Sequence, residues 1–243
     1  SISEKEHLFQ IGNIYINGNR VTRGYIIERE LPFKPGDSLT LGAITGSFTK
    51  IHERLINTRL FNEATVSLKE FRGYTIDLRI DVKERWYIFP LPYVRPVDRN
   101  FTAWADQHYS LKRFDYGLKY SHYNFTGRND FLRIWLITGY TREVELAYDQ
   151  PYTGKQLKHG FGGGFKYAGQ KELNVITADN KQVFLNRDSL GYAGRNLREQ
   201  MNFSFRYYYR PGLRTRHYIK FSFNHVKIDS ALLNYNTVYF LNN

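Results

Sequence analysis

The residues of this chain that could do chemistry do not gather into a reaction centre. Seven histidines are scattered along the chain, and none shares the short spacing that zinc ligands need. Gly160-Phe161-Gly162-Gly163-Gly164 has the glycine density of a phosphate-cradling loop, but neither a Lys-Ser/Thr pair nor a helix pattern follows it. In a strand, such glycines let the backbone bend or lie against a bulky neighbour. Tyr207-Tyr208-Tyr209-Arg210 could stack on bases, yet its alternation in a strand fits a membrane-interface girdle better. Gly-x-Ser-x-Gly, His-Glu-x-x-His and paired catalytic carboxylates are absent, so no enzyme activity and no cofactor is expected. The chain has no cysteine, which removes disulfides and thiolate metal sites. Without a reaction centre, function has to be read from the elements and the surfaces they present.

Two compositions meet near Glu84–Arg95. Before this boundary the chain reads as a small α/β module. Ile11, Ile14 and Ile16 form a short strand that ends at the Asn17-Gly18-Asn19 turn. Thr22 is placed to cap a short helix carrying Tyr25, Ile26 and Ile27 up to Leu31, and Pro32 and Pro35-Gly36-Asp37 break it. Thr40 is placed to cap the next helix. There Ile44, Phe48, Ile51 and Leu55 form one apolar stripe. Ala64–Leu68 and Tyr74–Val82 alternate as two strands. In the second, Ile76, Leu78, Ile80 and Val82 make a buried face and Asp77, Arg79 and Asp81 a wet one.

After the boundary no further helix pattern is evident, and aromatic strands follow one another. Strands are expected at Asp115–Phe125, Phe131–Tyr140, Glu143–Tyr148, Gly160–Ala168, Met201–Tyr209, His217–Val226 and Tyr235–Leu241. Asp149-Gln150-Pro151-Tyr152 is expected to end the third of these, and Lys171–Arg195 to be mostly a long polar loop, with room for strand ends projecting from the membrane. Phe203, Phe205, Tyr207 and Tyr209 share one face of their strand, and Phe221 and Phe223 share another. Short turns alternating with longer loops are the pattern of an outer-membrane barrel. The soluble alternative is a β-sandwich with aromatic core rows. Pro90 and Pro92 cannot donate to a ladder, so the first strand is expected to pair poorly on at least one side.

The mean hydropathy is −0.54, which does not exclude a barrel, because alternating strands give a weak signal. No stretch approaches the roughly 20 apolar residues of a membrane-spanning helix. The net charge of +12 is uneven: residues 1–90 hold 13 Lys+Arg against 11 Asp+Glu, and the rest 22 against 12. Such an excess suits anionic lipid or acidic polysaccharide, and by itself would also suit a soluble nucleic-acid-binding protein.

The first module, with Ile14–Glu30, Phe33-Lys34-Pro35-Gly36-Asp37, Leu60-Phe61-Asn62 and Val82-Lys83-Glu84, resembles a POTRA domain. Glu84–Pro92, Asp98-Arg99-Asn100-Phe101, Tyr123–Asn129 and Tyr148–Tyr152 resemble the barrel start of the outer-membrane assembly family of BamA/TamA type. The resemblance implies an α+β POTRA module (β-α-α-β-β) followed by an antiparallel transmembrane β-barrel, here only its first half of about eight strands. The implied boundaries are a linker at 1–10, a POTRA domain at 11–85 and barrel strands at 86–243. The chain would be a mature form or a cut-out piece of a longer protein. The family's inward-reaching loop, with its Arg-Gly-aromatic motif, is not found, and Arg210-Pro211-Gly212 does not replace it.

The resemblance further implies a POTRA edge strand that captures precursors at Thr65, Val66, Ser67 and Leu68 by β-augmentation. It implies a lateral seam at Tyr87, Ile88, Phe89, Pro90, Leu91, Pro92, Tyr93 and Val94, with Glu84–Arg95 as a hinge. The expected partners are unfolded outer-membrane precursors, outer-membrane lipid or lipopolysaccharide and periplasmic accessory lipoproteins, and not nucleic acid. A related export or surface-display pore is the alternative. The expected location is the bacterial outer membrane with the POTRA in the periplasm.

Overall fold

The computed structural model describes residues 7–98, 100–106, 108–154, 156–178, 181–188, 190–191, 196–212, 215–230 and 232. The first unit runs β1 (Leu8–Asn17), α1 (Gly24–Glu28), β2 (Ser38–Thr40), α2 (Leu41–Gly46), α3 (Phe48–Asn57), β3 (Phe61–Arg72) and β4 (Thr75–Glu84). Its sheet has the order β2-β1-β4-β3. β1 and β4 are parallel, while β1–β2 and β3–β4 are antiparallel. β1 begins at Leu8, within the stretch expected as a linker. The alternation of β4 sends Ile76, Leu78, Ile80 and Val82 into the core with Ile26, Ile27, Ile44, Ile51, Leu55 and Leu60. Each such side chain contributes about 1.5–3 kcal/mol by leaving water.

Two local expectations change. Thr40 does cap α2, accepting from Ala43 N at 3.2 Å, but the apolar stripe spans two helices broken at Ser47. The Ser47 hydroxyl donates to Ile44 O at 2.6 Å and competes with the helix ladder. Ile44, Ile51 and Leu55 remain fully buried across the break. Thr22 does not cap α1. That position is taken by Arg23, which makes no side-chain cap, because the Thr22 hydroxyl is engaged by the second unit.

That unit runs β5 (Ile88–Pro96), α4 (Phe101–Asp106), β6 (Phe114–Tyr123), β7 (Phe131–Gly139), β8 (Thr141–Thr153), β9 (His159–Gln170), β10 (Glu172–Ala178), β11 (Lys181–Asn186), β12 (Arg198–Tyr209) and β13 (His217–Ile228). Seven of these strands form one antiparallel sheet of order β13-β12-β9-β8-β7-β6-β5, which is open among the described residues. The expected strand at Tyr235–Leu241 lies outside the described residues.

Three further expectations are corrected here. A short helix, α4, does occur after the boundary, held by Trp104 against Phe101, Tyr109 and Phe114 at 5.2–5.7 Å between ring centroids. β8 continues through Pro151, because a register shift between Gln150 and Thr153 accommodates the missing donor. The polar stretch after Lys171 contains a two-stranded hairpin, β10–β11, packed on its own small cluster of Leu173, Val175, Leu185, Leu197 and Leu232.

The two faces of the large sheet differ in chemistry. Phe203 lies opposite Phe165 and Phe223, and Phe205 opposite Phe221, so the two aromatic rows belong to one face rather than two. Leu118, Leu136, Val144, Leu146 and Phe161 continue that face, all at least 42% exposed. The opposite face carries Arg133–Glu145 at 2.7 Å, Lys166–Glu143 at 3.0 Å and Arg206–Asp149 at 2.6 Å. Gly162 makes the last pair possible, since a Cβ there would lie 1.9 Å from Asp149 Oδ1. The glycine run therefore serves packing. An exposed apolar face of this extent, with charges on the other side, suits lipid outside and an aqueous lumen inside. A sandwich would bury this apolar face against a second sheet, and its residues are exposed instead. No helix among them is long and apolar enough to cross a membrane.

Candidate strand-pairing edges and their junction

Among the described residues, no three His, Cys, Asp or Glu side chains are grouped to hold a metal. Apart from Tyr87, which precedes β5, the residues singled out in the sequence fall instead on two outermost strands, β3 and β5.

In β3 the direction of each backbone group follows from its neighbour. Gln10 N donates to Tyr74 O at 2.8 Å, and Arg85 N donates to Leu60 O at 3.1 Å. Even-numbered residues of β4 therefore face β1, and odd-numbered ones face β3. Thr65 and Ser67, opposite Asp81 and Arg79, are thus tied into the ladder. Ala64, Val66 and Leu68 present N–H and C=O to the open side. The Ala64 carbonyl is closed by His52, whose Nδ1 donates at 2.6 Å. Between Ala64 and Leu68 the open part of the edge is then Val66 and Leu68.

In β5 the same reasoning decides what the prolines do. Tyr123 N donates to Tyr87 O at 2.9 Å, and Val97 N donates to Arg113 O at 3.0 Å. Tyr87, Phe89, Leu91 and Tyr93 therefore bond to β6, while Ile88, Pro90, Pro92, Val94 and Pro96 face the open side. The prolines leave the β5–β6 ladder intact and remove donors only from the free edge. On that edge, Ile88 and Val94 keep an N–H. The Ile88 carbonyl is closed by the indole N–H of Trp86. What remains in the middle is a row of carbonyls.

The junction between the units, read in the sequence as a hinge, is hydrogen-bonded around the buried Thr22, Tyr87 and Asn124. Glu84 accepts from Thr22 N at 2.6 Å and from Val21 N at 3.0 Å. Asn124 Nδ2 donates to the Thr22 hydroxyl at 2.8 Å. Tyr87 OH donates to Leu60 O at 2.8 Å and lies 3.2 Å from Thr22 Oγ1. Burial pushes the Tyr87 phenol above its usual pKa. Arg23 N donates to Gly127 O at 2.8 Å. Gly127 has φ +81°, and a Cβ there would lie 2.2 Å from Val21 O, so the backbones meet directly.

Sequence reasoning missed a second clamp. Arg210 holds Glu30 in a two-pronged pair, at 2.9 and 3.1 Å, and also donates to Tyr152 OH at 2.8 Å. Both charged side chains are at most 12% exposed. Arg29 stacks on the Tyr152 ring at 4.6 Å and donates to Leu157 O. Arg210, first weighed as part of a base-stacking cluster, therefore pins the first unit beneath the sheet. Tyr208 turns to the charged face and donates to Asp149 at 2.8 Å.

A family model for POTRA, described as "Surface antigen variable number repeat", matches residues 9–85. The whole chain is similar to BamA from Haemophilus ducreyi lacking POTRA domains 1–3, with a TM-score of 0.55 at 18% identity, over 91% of this chain and 36% of that one. It is also similar to CdiB from Escherichia coli, with a TM-score of 0.51 at 11% identity, over 91% of this chain and 38% of that one. The chain therefore spans little more than a third of either protein. A comparison with curated proteins gives no match. At these identities the likeness is one of fold. Residues 9–85 are a POTRA domain, and the chain as a whole has the BamA-type fold, a POTRA domain leading into the first strands of an open antiparallel barrel sheet.

Proposed function

We propose that this chain is part of an outer-membrane protein assembly factor, with its POTRA domain in the periplasm and its large sheet in the bilayer. Unfolded barrel precursors would add as an extended strand at Val66 and Leu68 of β3. They would then pair with the free edge of β5 as they enter the membrane. The observation that carries this reading is the free edge of β5, from which Pro90, Pro92 and Pro96 remove donors while leaving β5–β6 intact. Each absent N–H···O bond weakens closure by about 1 kcal/mol. In lipid an unsatisfied carbonyl costs several kcal/mol. Such an edge closes weakly and gains from an incoming strand.

The exposed aromatic face supports placement in a membrane, and the POTRA family match supports a periplasmic first unit. No catalytic group is required, because the free energy comes from the strands being paired. Depletion of the protein in its native cell tests the reading. Many outer-membrane barrel proteins should fall together. Loss of a single exported partner, with the others unchanged, would replace assembly by a dedicated export pore.

A further inference from the structure

The end of the sheet opposite the POTRA domain holds a cleft of about 820 Å³ that the assembly reading does not use. It lies where β7 turns into β8 and β9 leads into β10. Five cations line it, Lys112, Arg113, Arg142, Lys171 and Arg187, against two carboxylates, Glu172 and Asp188. The carboxylates are already engaged: Glu172 by Arg113 at 2.8 Å, and Asp188 by Arg187 at 3.2 Å. Arg113 is further held by Asp98 at 2.8 Å. Among the described residues, Lys112, Arg142 and Lys171 make no ion pair. The Lys171 ammonium donates to the Gly139 carbonyl at 3.3 Å. Burial, then the charges of Arg142 and Arg187, lower its pKa. Cations crowded in this way favour an added anion.

The position of the cleft says which anion. Arg142 stands on the same sheet face as Val144 and Leu146, and Tyr116 and Thr138 on the same face as Leu118 and Leu136. The cleft therefore opens directly beyond the exposed apolar band. A ligand there would have its apolar part on the band and its charge at the rim. We propose that this cleft binds the phosphate of an anionic glycolipid headgroup in the leaflet away from the POTRA domain. The cations at the rim would attract the headgroup as a membrane-edge basic cluster does, and the guanidinium of Arg142 would grip its oxygens in a fork. The proposal rests on the outer-membrane reading for the leaflet it names, and not on what the protein assembles.

The test uses the full-length protein in detergent micelles and native mass spectrometry. The probes are bisphosphorylated lipid A, the same lipid with both phosphates removed, and inorganic phosphate. Bisphosphorylated lipid A should bind, and removal of its phosphates should weaken binding at least tenfold. The double variant R142Q/K171Q should show the same loss, and R142K, which keeps the charge but not the fork, should show a smaller loss. Arg142 is exposed, so folding of the variants is expected, and unchanged heat-modifiable gel mobility checks it. Equal binding by parent and double variant would overturn the proposal. So would inorganic phosphate binding as tightly as the lipid, which would mean a site for free anions. The depletion experiment fails or succeeds independently of either result.

Discussion

β3 and β5 are both outermost strands, and in each an edge-facing carbonyl is closed by a nearby side chain. His52 closes Ala64 in β3, and Trp86 closes Ile88 in β5. Beyond that point they differ. Val66 and Leu68 each offer a donor and an acceptor. In β5 only Val94 does, and Pro90, Pro92 and Pro96 offer carbonyls alone. A strand added to β3 can complete its ladder, whereas one added to β5 is held at intervals. The POTRA edge is suited to firm capture in water, and the barrel edge to pairing that can be undone. Proline on an exposed edge also guards against unwanted association, so one substitution pattern limits both closure and aggregation.

In the proposed route the two edges would act together only while the junction holds them in register. Arg210→Ala should have the largest effect. It leaves Glu30 buried without its partner, a change that typically costs about 3–5 kcal/mol. The expected outcome is a POTRA domain that loosens from the sheet, read as faster hydrogen exchange at Arg29 and Glu30. Unchanged exchange would mean that the Thr22–Tyr87–Asn124 contact suffices by itself.

His52→Ala should be smaller. It releases the Ala64 carbonyl and removes a bond contributing about 1 kcal/mol. POTRA stability should fall by about that amount in denaturant unfolding, while an extended peptide gains one acceptor on β3. Weaker peptide binding in the variant would show that His52 is itself a contact for the incoming chain.

The smallest effect should come from acid. Asp77 is held below the usual carboxylate range, first by Arg72 at 2.8 Å and then by Asn13 N at 2.8 Å. A depressed folded-state pKa contributes stability that is present above the unfolded value, near 3.9, and lost as pH falls through the folded value. POTRA stability should therefore decline below about pH 4, and Asp77→Asn should flatten that decline. The β5 edge, built of backbone groups, should be indifferent to the same change.

Much of this was legible where neighbours in sequence are neighbours in space. The Thr40 cap, the stripe of Ile44, Ile51 and Leu55, and the apolar side of β4 are local patterns and appear where periodicity puts them, whereas Asp77, expected on the wet side, is buried. The spacing of Pro90 and Pro92 already put both on one side of β5. Which side could not be read, because that depends on the register with β6. The junction was hidden for the same reason: Thr22 meets Asn124, and Glu30 meets Arg210, across 102 and 180 residues. Thr22 reads as a cap because a hydroxyl before a helix usually is one. Here two distant partners compete for it and win. β2, with three residues, and the polar strands β10 and β11 carry too little pattern to be read alone.

The central claim is that the free edge of β5 pairs with an incoming strand. Photo-cross-linkers placed singly at Ile88, Pro90, Pro92 and Val94 of the full-length protein, in cells making an arrested barrel precursor, test it most directly. The account predicts adducts between these positions and one strand of the precursor, together with adducts at Val66 and Leu68 of β3. Adducts at β3 with none at any position of β5 would contradict it.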